Sequence, residues 1–405
     1  MSVPIDVSGE PAGSVSEAGH YQVSLTAAGS HVFAREAGRG NLIIGPASMG
    51  KKADLHVAGD EAINWAAFEP FSTPAGSPWP RHIDYYGNDS GFFGWSQGRE
   101  IEQFSWAPAY SGRRAIDAGA ARIQTLRIRL DQVSGHLEAR LPQVRDLELF
   151  GDLTRIAVAG ELPDMLSLRP ALGRRTGVAP YALPDLGPLQ DVRALALHGA
   201  PLGQPISLQG IDRFPQLESL SLWGGFSGWE ALARLPRLTS LEIRFTPDLD
   251  GLPELASWPA LDRFIAYNVD EAAGKRLKAQ MKAREKVRAW GGYNSVSQLR
   301  KREWWQTEYG RPFSGWNSRM AKSAKSANTA YDTARSALES ANNTVEVQAA
   351  ISVFTRHFNS MKGIETSERE DIGEAVWQFS QLAQVERLGV SEAQTQRWFD
   401  EARDY

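Results

Sequence analysis

Four times within residues 141–266 the chain repeats one short phrase, and no other feature restricts its fold as tightly. The copies read Leu141-Pro142-Gln143-Val144-Arg145-Asp146-Leu147-Glu148-Leu149, Phe214-Pro215-Gln216-Leu217-Glu218-Ser219-Leu220-Ser221-Leu222, Leu235-Pro236-Arg237-Leu238-Thr239-Ser240-Leu241-Glu242-Ile243 and Trp258-Pro259-Ala260-Leu261-Asp262-Arg263-Phe264-Ile265-Ala266. The last three begin 21 and 23 residues apart. Each copy ends in a period-two alternation of apolar and polar residues, which marks a strand with one buried and one open face. A unit this short cannot bury its apolar face alone and must stack on its neighbours.

The L-x-x-L-x-L spacing resembles that of the leucine-rich repeat family, with irregular, bacterial-type repeats, over about residues 121–268. Ile123-Gln124-Thr125-Leu126-Arg127-Ile128 opens the series, and Val192-Arg193-Ala194-Leu195-Ala196-Leu197 is a further copy with no proline in the usual place. Across residues 151–188 the register blurs, and either Ile156-Ala157-Val158 or Leu166-Ser167-Leu168 could supply a strand. The family's usual asparagine after the strand is missing. The resemblance implies a solenoid at the centre of the chain, residues 116–270, with its leucines pointing inward and alternate residues on a concave face that binds a protein partner. Those residues are Arg127, Arg129, Glu148, Phe150, His198, Ser221, Trp223, Glu242, Arg244, Ile265 and Tyr267. Arg127, Arg129, Phe150, His198, Trp223, Glu242, Arg244 and Tyr267 form the expected binding set, because large aromatics and arginine dominate interface hot spots.

Upstream, residues 1–115 read as a separate β-rich domain. Short alternating runs such as Tyr21-Gln22-Val23-Ser24-Leu25, His31-Val32-Phe33, Leu42-Ile43-Ile44 and Leu55-His56-Val57 are broken by Gly, Ser, Pro and Asp. Gly45 to Lys52 nearly spells the phosphate-cradling P-loop, but Lys52 stands where a Ser or Thr should hold Mg²⁺. A strand rather than a helix is expected next, so a glycine-proline turn with solvated lysines is the better reading.

Downstream, residues 271–405 change to helical periodicity and are expected to form an α-helical bundle. Met320, Ala324, Ala327, Tyr331, Ala334, Leu338 and Ala341 mark one long helix, and Val347, Ala350, Phe354 and Met361 a second. Ser367-Glu368-Arg369-Glu370 and Ser391-Glu392-Ala393-Gln394 read as capping boxes for two more. The expected class is therefore α/β: a central leucine-rich repeat solenoid between a β-rich N-terminal domain and an α-helical C-terminal domain.

Charge sharpens the functional reading more than composition does. The net charge is −4, yet residues 271–326 carry 14 Lys/Arg against 4 Asp/Glu. Lys275, Lys278, Lys282, Arg284, Lys286, Arg288, Arg300, Lys301 and Arg302 form a candidate polyanion-binding set, interleaved with Trp290, Tyr293, Trp304, Trp305, Tyr309 and Trp316. The spacing of these aromatics fits core anchors better than base stacking, which leaves nucleic acid as the weaker alternative. Cysteine is absent, which excludes disulfides, zinc-thiolate sites and a cysteine nucleophile. His357 near Glu365, Glu368, Glu370, Asp371 and Glu374 lacks metal-ligand spacing, and acidic residues in a first helical turn suit the helix dipole. No apolar run is long enough to span a membrane, and the small, polar start suggests a cytoplasmic protein. The chain thus reads as a non-enzymatic scaffold or adaptor with a protein partner, no cofactor and no metal. The alternative is a bacterial effector or defence protein whose repeats select a target on which the basic helical part acts.

Overall fold

In the computed structural model, which describes residues 3–174, 177–316 and 320–404, the alternating phrase forms strands that all run the same way. They belong to one twelve-stranded parallel sheet made of β1 (Asn41–Gly45), β2 (Leu55–His56), β3 (His82–Tyr85), β4 (Ile101–Trp106), β5 (Ile123–Arg129), β6 (Asp146–Gly151), β7 (Met165–Pro170), β8 (Ala194–His198), β9 (Ser219–Trp223), β10 (Ser240–Thr246), β11 (Arg263–Asp270) and β12 (Asn294–Arg300). From β3 to β12 each strand pairs with the next in the chain. At the other end β3 pairs with β1, and β2 lies outside it.

This sheet corrects the expected architecture. The repeated phrase does not mark a leucine-rich repeat solenoid set between two other domains. It marks the downstream part of a large parallel sheet in an α/β unit, and the N-terminal segment joins the same sheet from Asn41 on, while Ile5–Asp6, Gly19–Val23 and His31–Arg35 form a separate three-stranded sheet. The physical reason lies in what the phrase encodes. Alternate burial is required of any parallel strand with one covered face, and leucine is only one way to meet that requirement. Register places Ile83, Phe104, Leu126, Leu147, Leu166, Leu195, Leu220, Leu241 and Phe264 in one buried row. Tyr85, Trp106, Ile128, Leu149, Leu168, Leu197, Leu222, Ile243 and Ala266 form the next. The aromatics of the N-terminal part therefore stand where leucines stand later. Phe92 stacks on Phe104 at 3.5 Å between ring centroids, and Phe93 packs edge-on against Trp106 at 5.6 Å. Both phenylalanines come from the short helix α1 (Gly91–Trp95).

Several connections between strands are short strands of their own. Arg113–Asp117, His136–Leu141 and Ile156–Gly160 form a small parallel sheet, as do Tyr181–Ala182, Ile206–Ser207 and Phe226–Ser227. Others are 3-10 turns, including Trp229–Arg234 and Leu255–Ser257. Ala47–Lys52 is also a 3-10 turn followed by β2, so the P-loop lookalike has no helix behind it. The helix α2 (Glu271–Glu285) starts at an Asp270 cap that accepts from the Ala273 amide at 2.8 Å. It buries Ala273, Gly274 and Leu277.

Three neighbouring strands share an irregularity. Phe245 in β10, Asn268 in β11 and Gln298 in β12 all have left-handed backbone, with φ of 51°, 51° and 54°. Residues other than glycine rarely adopt it. Asn268 is buried, and its side chain accepts from Arg300 Nε at 2.7 Å.

The chain divides into two compact units, Met1–Arg300 and Lys301–Tyr405. The second is helical and has its own core. It contains α3 (Ala321–Glu339), α4 (Thr344–His357), α5 (Thr366–Ser380), α6 (Ala383–Arg387) and α7 (Glu392–Ala402). Phe313, Trp316, Tyr331, Phe354, Phe358 and Phe379 form its aromatic centre. The box at Ser391 and Gln394 caps α7 as the spacing predicts. The box of α5 is formed by Glu365 and Glu368, two residues before the Ser367–Glu370 pair that the spacing suggested. No helix among the described residues is long and apolar enough to cross a membrane.

Candidate recognition surface

One face of the sheet carries the buried rows; the opposite face presents the alternate residues. Register brings the expected binding residues into two adjacent rows on that face. The first runs Arg127, Glu148, Ser167, Ala196, Ser221, Glu242, Ile265 across β5 to β11. The second runs Arg129, Phe150, Arg169 across β5 to β7 and His198, Trp223, Arg244, Tyr267 across β8 to β11. Arg129, Phe150, His198, Trp223, Arg244 and Tyr267 are each only partly buried. Ile265, at 7% exposure, is buried and presents nothing.

Two residues of this face were missed in the sequence. Arg169 lies in the blurred stretch, where Leu166-Ser167-Leu168 proves to be the core of β7. Its guanidinium sits over the Phe150 ring at 5.3 Å, matched by that of Arg129 at the same distance. The second is Phe245. Strict alternation assigns it to the buried side, but its left-handed backbone turns the ring outward. It lies 5.4 Å from Trp223 and 5.9 Å from Tyr267, centroid to centroid. Arg244 stands over Tyr267 at 5.7 Å. Trp223, Arg244, Phe245 and Tyr267 thus form one half-buried cation-aromatic cluster. Next to it, Gly224 has φ of 106°, and a Cβ there would lie 2.1 Å from the Gly199 carbonyl oxygen. That close approach lies between the residue after β9 and the residue after β8.

The electrostatics of the face are largely settled within it. Glu242 accepts from Arg244 and, at 2.9 Å, from Arg263. Burial alone would raise its pKa, but the two arginines hold it below the ordinary glutamate value. Arg127 pairs with Glu148 at 3.0 Å. Burial, with Arg169 adding to it against the opposing effect of Glu148, lowers the His198 pKa to about 4, so its imidazole is neutral near pH 7.

The candidate polyanion set is less well assembled. Arg284 donates to the carbonyls of Trp258, Pro259 and Leu261 and stacks on Trp290 at 4.6 Å. Arg288 donates to the Pro259 carbonyl at 2.8 Å, Lys275 pairs with Glu271 at 2.8 Å, and Arg300 bonds Asn268. Lys278, Lys282 and Lys286 are exposed. Lys301 and Arg302 fall in the other compact unit. Of the interleaved aromatics, Trp305 and Trp316 are buried, which leaves their faces unable to stack on bases. His357 bonds Ser326 at 3.0 Å, and no cluster able to hold a metal ion occurs among the described residues.

Comparison with known protein families, with curated proteins and with solved structures finds no match. Nothing in these comparisons supplies the bacterial source that the repeat resemblance implied.

Proposed function

We propose that the open face of the sheet recognises a protein partner, with Trp223, Arg244, Phe245 and Tyr267 at its centre, and that the chain acts as a non-enzymatic scaffold or adaptor in the cytoplasm. The observation that carries this reading is the half-buried cluster itself, in which Trp223 meets Phe245, Phe245 meets Tyr267 and Arg244 lies over Tyr267, side chains of the types that dominate hot spots. Rings held by their neighbours lose little rotamer freedom on binding, and each retains apolar area still to be covered. Of the second row, Arg129 is already paired with Asp131 and Arg244 with Glu242, while Arg169 lies over the Phe150 ring with no ion pair among the described residues. A partner segment with apolar side chains for the rings and an acidic one for Arg169 matches this pattern.

The test is affinity capture from source-cell lysate with mass spectrometry, run in parallel for the wild type, Trp223→Ala/Arg244→Ala and a Lys278→Ala/Lys282→Ala control. A specific protein should be retained by wild type and control and lost from the double variant. With even one hot-spot truncation costing about 2 kcal/mol, the residual affinity should fall at least ~30-fold. Equal retention by all three chains would show that the face is not used.

A further inference from the structure

The outward side of α2 and the turn after it carry a charge and an apolar exposure that the fold itself does not use. Residues 275–288 hold seven Lys/Arg against one Asp/Glu. Ala273, Gly274 and Leu277 bury one side of the helix, and a Cβ on Gly274 would lie 2.2 Å from the Leu299 side chain, so that side is seated closely on β12. Lys275, Lys278, Lys282 and Lys286 are spaced three, four and four residues apart, which lines them along the opposite side. All four are exposed. Lys275 pairs with Glu271, whereas Lys278, Lys282 and Lys286 make no ion pair among the described residues.

The lysine row runs into a turn that keeps apolar side chains in water. Val287 is 89% exposed and Tyr293 69%. The segment between them is fastened to the sheet unit: Arg288 donates to the Pro259 carbonyl at 2.8 Å, and the Gly291 amide donates to Asp262 Oδ1 at 2.8 Å. The Val287 amide donates to the Arg284 carbonyl at 2.9 Å, which fixes the turn from the helix side. With the backbone held at these points, both side chains stay presented to solvent.

A row of unpaired ammonium groups attracts any polyanion, so the apolar residues beside it decide the class of partner. A phosphate backbone offers a valine nothing to touch, and one face of the Trp290 ring, which could stack on a base, is already covered by the Arg284 guanidinium at 4.6 Å. A lipid surface suits both kinds of residue. Lysines sit among anionic headgroups, while tyrosine and small apolar side chains enter the boundary with the acyl chains. We propose that the outward face of α2 docks on an anionic membrane surface, with Lys278, Lys282 and Lys286 against the headgroups and Val287 and Tyr293 in the interface.

The experiment is flotation of the full chain with large vesicles, made either of phosphatidylcholine alone or of equal parts phosphatidylcholine and phosphatidylserine. Wild type should float with the mixed vesicles at low salt, come off at high salt and ignore phosphatidylcholine alone. Each lysine at such a surface contributes roughly fivefold in affinity, so Lys278→Gln/Lys282→Gln/Lys286→Gln should weaken binding at least ~30-fold. Val287→Ser/Tyr293→Ser leaves the charge unchanged and should weaken it about tenfold by removing apolar area from the interface. All five positions are exposed, and circular dichroism checks that both variants are folded. Failure of the wild type to float with the mixed vesicles at low salt would overturn the proposal. So would flotation undiminished in either variant. A mixed-sequence oligonucleotide bound more tightly than the mixed vesicles, and lost only in the lysine variant, would assign the face to nucleic acid instead.

Discussion

His198 stands beside Trp223 in the outward row, and its environment makes it the residue whose protonation most directly reports on that face. Burial and Arg169 hold its folded pKa at about 4, against 6.5 for an unperturbed histidine. Because the folded value is the lower one, the unfolded chain binds the extra proton first as pH falls. The stabilising contribution is therefore complete above pH 6.5 and is lost as pH drops from 6.5 towards 4. Urea midpoints measured at pH 7.5 and pH 5 should fall for the wild type and fall less for His198→Gln; identical acid sensitivity would remove the histidine from the explanation. At this scale the sequence was legible wherever alternation held. It placed Arg129, Phe150, His198, Trp223, Arg244 and Tyr267 correctly on one face, and it missed Phe245 because a left-handed residue breaks alternation without leaving a mark in residue type. Arg169 was lost for a different reason: its strand ends in Pro170, and the Leu162-Pro163 pair before it stands two residues closer to the core Leu166 than the corresponding pair does in the other copies.

The in-register left-handed positions of β10, β11 and β12 belong to the scale of elements, since three strands share them and no single residue type explains them. Asparagine tolerates this conformation better than most residues, and Asn268 adds a buried bond to Arg300. Asn268→Ala should destabilise the fold by about 1–3 kcal/mol, from backbone strain plus the lost acceptor of a charged donor. A chemical-denaturation midpoint unchanged from the wild type would show that the strands adjust at no cost. The helices were more legible than the strand irregularities. Tyr331, Ala334 and Leu338 do line the buried side of α3, and Ser391 does cap α7. For α5, Glu368 and Glu370 offered alternative third-position partners, and spacing could not choose between a cap at Ser367 and one at Glu365.

For the molecule as a whole, the phrase located β5, β6 and β8 to β11 and left β7 open, while the sheet itself extends well upstream of the repeats. Ile83, Tyr85, Phe104 and Trp106 occupy core rows that later strands fill with leucine, so the upstream strands share the geometry without sharing the spelling. A sheet that adds strands in chain order has another property: each new strand covers the hydrogen-bonding edge of the last, and the final one leaves an edge that a second chain could extend. Here the two outermost strands are poor templates. β2 has only two residues, and β12 is mostly polar, with a left-handed residue at Gln298 that interrupts its edge. β11 is longer and presents Phe264, Ile265 and Ala266 in succession. A fragment ending at residue 293 should therefore associate with increasing concentration in sedimentation velocity, whereas one ending at Arg300 should stay monomeric; a monomeric shorter fragment would refute this. On that expectation β12 is a stopper against end-to-end polymerisation, and a proteolytic cut or premature stop just before it should expose the β11 edge and seed fibres.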